Sequence, residues 1–169
     1  MIMLDLLDAN TLITANRDYY PLDQVPEFWA WLKHQGELGR VKIPQEIMEE
    51  VLAGRKENDP LIDWLSSVDV QAALLLDESV IVQLVRDVTD RYGENLNDLE
   101  LEAIAKDPFL IAYALAKPDD RCVVTVEVSR PGTKRQNRKI PDVCKDVGVR
   151  CCGPFAMNKR RGFKTGWQT

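Results

Sequence analysis

Four short apolar runs, at residues 2–7, 41–43, 122–127 and 149–152, are separated by segments with helical punctuation, and this alternation constrains the fold more than any other feature. Strands spaced by helices cannot pair as hairpins; they line up in parallel, with the helices on the sheet faces. The run "IMLDLL" is apolar except for Asp5, as a strand buried on both faces should be. The segment "RCVVTVEVS" is the clearest strand, rich in β-branched residues. Between them, "VPEFWAWLKHQGELG" has a proline for its first turn and an apolar stripe, and "PQEIMEEVLAG" runs from Pro44 to a closing Gly54. "DPFLIAYALAK" starts at Asp107–Pro108 and stops before Pro118. The fold class expected is α/β, a three-layer α/β/α sandwich on a mainly parallel sheet. A chain of 169 residues makes one domain, 1–169, with a basic tail from about residue 154.

No apolar run reaches the length of a membrane span, and the start lacks a signal-peptide pattern, so the expected location is the cytoplasm, with no membrane partner. Cys122, Cys144, Cys151 and Cys152 form no CxxC pair and have no companion histidine, which argues for buried thiols over a zinc site. The net charge of −5 conceals an asymmetry: residues 130–169 hold 11 of the 22 basic residues but only two acids, Asp142 and Asp146. Such a chain can attract a polyanion beside its carboxylates, or fold its basic end back on an acidic body.

In a parallel sheet, ligands bind at the carboxyl edge of the strands. Asp8 follows the first strand, Glu46, Glu49 and Glu50 lie on the helix after the second, Asp107 opens the helix before the third, and Glu127 ends the third. Asp8 or Asn10 can also simply cap the next helix. Several carboxylates gathered in one cleft need protons or a cation, and oxygen donors alone select a hard divalent ion, Mg²⁺ or Mn²⁺.

"LLDANTLI", "IPQEIMEEVLAG", "DPFLIAYALAK" and "VVTVEVS" resemble, in that order, the four signature segments of PIN-domain nucleases. The run "KIPDVCKDVGVRCCGPFAMNKRRGFK" is similar to a bacterial and archaeal PIN-like group related to VapC-type toxins. The resemblance implies the sandwich fold and a metal-dependent endoribonuclease acting on RNA phosphodiesters, usually the toxin of a toxin–antitoxin pair. It assigns Asp8, Glu50, Asp107 and Glu127 as catalytic metal ligands, with Asn10 and Thr125 in support, Glu49 as the fallback for Glu50 and Asp142 as a supplement to Glu127. Glu127 departs from the family pattern, which has aspartate after Thr and one further residue. Arg130, Lys134, Arg135, Arg138, Lys139, Lys159, Arg160, Arg161 and Lys164 are candidates for the phosphate backbone, and Phe163 and Trp167 either stack on bases or pack on the body. A cognate antitoxin is the implied partner. The aromatic "YYPLDQVPEFWAW" is either core or a homodimer surface. Two rivals remain: a non-cleaving module that binds RNA or protein, and a haloacid-dehalogenase-type phosphatase, which needs an aspartate where this chain has Asn10.

Overall fold

The computed structural model describes residues 2–54 and 56–169. In chain order the elements are β1 (Leu4–Leu7), α1 (Ala9–Thr14), α2 (Pro26–Glu37), β2 (Val41–Lys42), α3 (Gln45–Ala53), α4 (Pro60–Ser66), α5 (Val68–Leu74), α6 (Val82–Tyr92), α7 (Asp98–Ile104), α8 (Asp107–Leu115), β3 (Arg121–Val124), α9 (Ile140–Val147), β4 (Arg150–Cys152) and α10 (Pro154–Arg160). All four strands are parallel, in the order β2-β1-β3-β4. Every residue of β3 is buried, as are Asp5, Leu6 and Leu7 of β1. Since successive side chains point to opposite faces, both faces of the sheet centre are covered by helices. This is the expected α/β architecture.

The chain leaves β1 for β2 on one side and returns to β3 on the other. The switch point of the sheet therefore lies between β1 and β3, with Asp8 at its carboxyl edge. The Asp8 amide donates to Val124 O at 3.0 Å, and the Thr11 hydroxyl donates to the same oxygen at 3.1 Å. These two bonds fix the start of α1 against the end of β3.

The apolar run predicts a strand through Glu127, but β3 stops at Val124. Thr125 still donates its amide to Cys152 O at 3.0 Å, and Glu127 lies two residues past that last rung. The helix α5 and a π-helical turn at Ala15–Tyr19, which continues α1, have no counterpart in the sequence reading.

In the aromatic segment, the aromatics on α2 resolve to core, while Tyr19 stays half exposed. Phe28, Trp29 and Trp31 of α2 are buried, and Trp29 donates its indole N–H to Tyr20 O at 2.6 Å. The basic tail folds back on the body. Phe163 packs edge-on against Phe28 with centroids 5.3 Å apart, and Trp167 stacks on His34 and donates to Glu27 O at 3.1 Å. Among the described residues no helix is long and apolar enough to cross a membrane.

Candidate functional site

Asp8 holds the N-cap position of α1 yet makes no side-chain capping bond. Its Oδ2 instead accepts the Thr125 hydroxyl proton at 2.9 Å, and the Thr125 oxygen accepts the Glu127 amide at 3.1 Å. This relay ties the end of β1 to the loop after β3. Asp8 is 2% exposed. Burial raises its pKa to about 6, against the opposing Thr125 bond, and the charges of Glu127 and Glu50 push the same way as burial.

Asp107 is the most perturbed acid. Burial first, then the negative charges of Asp8, Glu127 and Glu50, raise it to about 9, with Lys139 pulling in the opposite direction. Glu50 is raised by burial and lowered by Lys106. Residues scattered from position 8 to position 127 are thus close enough to repel one another. Two residues before Asp107, Ala105 sits at φ 47°, ψ −119°. An alanine there is strained, a cost of about 1–3 kcal/mol that the surrounding structure must offset, and such strain concentrates at functional sites.

Glu127 has one oxygen committed: Oε2 accepts the Ile140 amide at 2.7 Å, at the start of α9. Tyr92, which sequence reasoning missed, is 2% exposed, and its hydroxyl has no hydrogen-bond partner among the described residues. Burial raises its pKa first, and the charges of Asp107, Glu127 and Asp8 raise it further, so the hydroxyl lies within the field of the acids. Only its place at the end of an amphipathic helix, before Gly93, could have flagged it.

The other assigned residues divide. Glu49 is exposed and accepts a bond from Gln45 at 2.9 Å, whereas it is Glu50 whose charge acts on Asp8 and Asp107, so Glu50 is the acid of α3 coupled to them. Asn10 is exposed on the first turn of α1. Asp142 does not supplement Glu127: its Oδ1 accepts the Ser129 hydroxyl and its Oδ2 the Arg130 amide at 2.8 Å, so both oxygens hold the 129–130 loop.

Four of the assigned cations are spent inside the molecule. Arg161 donates to Asp5 at 2.8 Å with its side chain only 8% exposed, and Arg160 pairs with the other Asp5 oxygen. Both are taken from the phosphate set, because Asp5 is wholly buried in β1 and needs them. Arg135 grips Glu100 in a bidentate pair at 2.6 and 2.8 Å, which holds that carboxyl down at about 2, and Arg138 pairs with Asp146 at 2.7 Å. Arg130, Lys134, Lys139, Lys159 and Lys164 have no ion-pair partner among the described residues. Cys122 and Cys144 are buried, Cys151 and Cys152 partly so, and all four are free thiols.

Carboxyl oxygens with raised pKa values suit a hard divalent cation in chemistry and charge, since binding one would relieve the repulsion that now favours protons. Among the described residues, no group of three or more His, Cys, Asp or Glu side chains is already placed to hold a metal ion.

Fold and site together define an all-parallel α/β protein with electrostatically coupled carboxylates at the carboxyl edge of its switch point. The chain belongs to the family described as domain of unknown function (DUF4411), whose model matches residues 6–165. No curated protein matches it.

Proposed function

We propose that this protein is a PIN-like, metal-dependent endoribonuclease, with Asp8, Glu50, Asp107 and Glu127 as its acidic centre. The observation that carries the reading is the coupling of all four acids, expressed most strongly in Asp107. These residues would hold Mg²⁺ or Mn²⁺, which when bound supplies a water of lowered pKa and offsets charge developing on the phosphodiester. Thr125 orients Asp8 through its hydroxyl, so the carboxylate is set before substrate arrives. Lys139 and Lys106, whose charges already reach Asp107 and Glu50, hold the phosphate backbone against an otherwise acidic surface. The buried Tyr92 hydroxyl, unpaired among the described residues, is available as a hydrogen-bond donor in the field of the acids. A role as the toxin of an antitoxin-controlled pair accords with the resemblance stated above.

A second reading, a non-cleaving RNA-binding module, is favoured by Glu127, which spends an oxygen on α9 and is longer than the expected aspartate. Incubating a mixed cellular RNA pool with the purified protein and Mn²⁺ or Mg²⁺ separates the two. Cleavage that disappears with EDTA and in Asp8→Asn supports the nuclease; salt-dependent binding without cleavage supports the module.

A further inference from the structure

The cysteines meet in pairs around β4, one pair on each face of the strand. Cys151 and Cys152 are consecutive, so their side chains point to opposite faces. On one face the Cys144 thiol of α9 donates to Cys151; on the other the Cys122 thiol of β3 donates to Cys152 Sγ at 3.6 Å.

The two pairs stand in different surroundings. Cys144 is wholly buried, and its bond to Cys151 and then burial push its thiol up. Cys152 is partly exposed at the end of β4, and its sulfur accepts from Arg160 Nη1 at 3.9 Å. A reactive cysteine needs access from solvent and a positive neighbour that favours its thiolate. Cys152 has both. The Cys122 bond first, and then the Arg160 charge, bring its thiol down to about 7, against burial and the charge of Asp5.

We propose that Cys152 and Cys122 form a peroxide-sensitive thiol pair, with Cys152 the attacking sulfur and Cys122 the resolving one. The Cys152 thiolate attacks one oxygen of hydrogen peroxide, the O–O bond breaks and hydroxide leaves, so that the sulfur is oxidised to a sulfenic acid. The Cys122 sulfur then attacks the Cys152 sulfur, and the displaced hydroxyl departs as water with the Cys122 proton. In balance, two thiols and one peroxide give one disulfide and two waters. The parallel register sets Cys122 opposite Arg150 and Cys152 opposite Val124, so the pair is diagonal on one face. Bridging it pulls the last residue of β4 toward β3, at the point where the strand ends and Gly153 follows. A bond closed across a diagonal is strained and easily reduced, so a thiol reductant restores the pair. Bridging also draws Cys152 off Arg160, whose Nη2 holds the buried Asp5. The charged neighbours of the pair are Asp5 and Arg160, so its chemistry does not depend on the acids at the carboxyl edge.

The test treats the full chain with hydrogen peroxide in EDTA, blocks the remaining thiols with iodoacetamide and maps tryptic peptides without reduction. The expected product links peptide 122–134 to peptide 151–159 through Cys122 and Cys152, and dithiothreitol reverses it. Cys152 should be consumed at least about tenfold faster than Cys144. Cys122→Ser should leave a sulfenic acid at Cys152 that dimedone traps, and Cys152→Ser should leave Cys122 unoxidised. Cys122 and Cys152 unlinked in the oxidised wild type, a Cys144–Cys151 link formed first, or Cys122 oxidised as readily in Cys152→Ser would each overturn the assignment. The first two are read on the wild type and need no variant to fold.

Discussion

Asp107 is held at about 9 by burial and by three neighbouring acids, so it keeps its proton at neutral pH unless a cation intervenes. The linkage follows from the direction of the shift. A carboxyl whose folded pKa lies above its unfolded value binds protons more tightly in the native state, so the native state loses stability as pH rises across that interval. For Asp8 the interval runs from about 4 to about 6, and for Asp107 on to about 9. Asp107→Asn replaces a carboxyl that must take up a proton to fold at pH 8 with a neutral amide, and should stabilise the metal-free protein there by about 1–2 kcal/mol, a rise of several degrees in Tm, while abolishing RNA cleavage. Adding Mn²⁺ should raise the wild-type Tm and leave that of the variant nearly unchanged. A wild-type Tm that climbs from pH 5 to pH 8 without metal would refute this electrostatic account.

At the scale of elements, two close approaches hold the layers in place. A Cβ added at Gly36 of α2 would meet Ala73 O, in α5, at 2.6 Å, and that same oxygen accepts the Lys42 ammonium at 2.6 Å. Gly36→Ala should therefore cost about 1–3 kcal/mol, read as a lowered denaturation midpoint with an unchanged m value. The other approach is the return of the chain end, where Arg160 and Arg161 close on Asp5. Arg161→Ala leaves that buried carboxylate underpaired and should cost about 3–5 kcal/mol by chemical denaturation.

The sequence made the sheet legible because apolar runs of strand length alternate with helix starts and stops, and Pro26, Pro44 and Pro108 punctuate them. Asp5 was legible only as an exception in its strand, since its partners lie 155 and 156 positions away. Charge counting likewise could not tell an arginine that meets a phosphate from one buried against an aspartate. The acids of the candidate site were visible as residues at strand and helix ends. Their coupling depends on the switch point between β1 and β3, which no local pattern encodes. Tyr92 escaped notice because an unpaired polar group is recognisable only once its neighbours are known.

Over the whole molecule, acidic and basic parts have different tasks. Half of the tail's charge is turned inward to lock the chain end onto the sheet, which leaves a smaller set of lysines, with Arg130, to face a polyanion. Asp8, Glu50, Asp107 and Glu127 feel one another's charge near the carboxyl edge between β1 and β3, without forming a ready-made metal cluster among the described residues. The central claim is that Asp8, Glu50, Asp107 and Glu127 share a divalent cation. The most direct measurement is anomalous diffraction from crystals of the protein soaked in Mn²⁺ near pH 8. The account predicts a manganese peak at the carboxyl edge between β1 and β3, about 2 Å from oxygens of Asp8 and Asp107. Well-ordered crystals showing no peak there, with the four carboxylates unmoved, would contradict it.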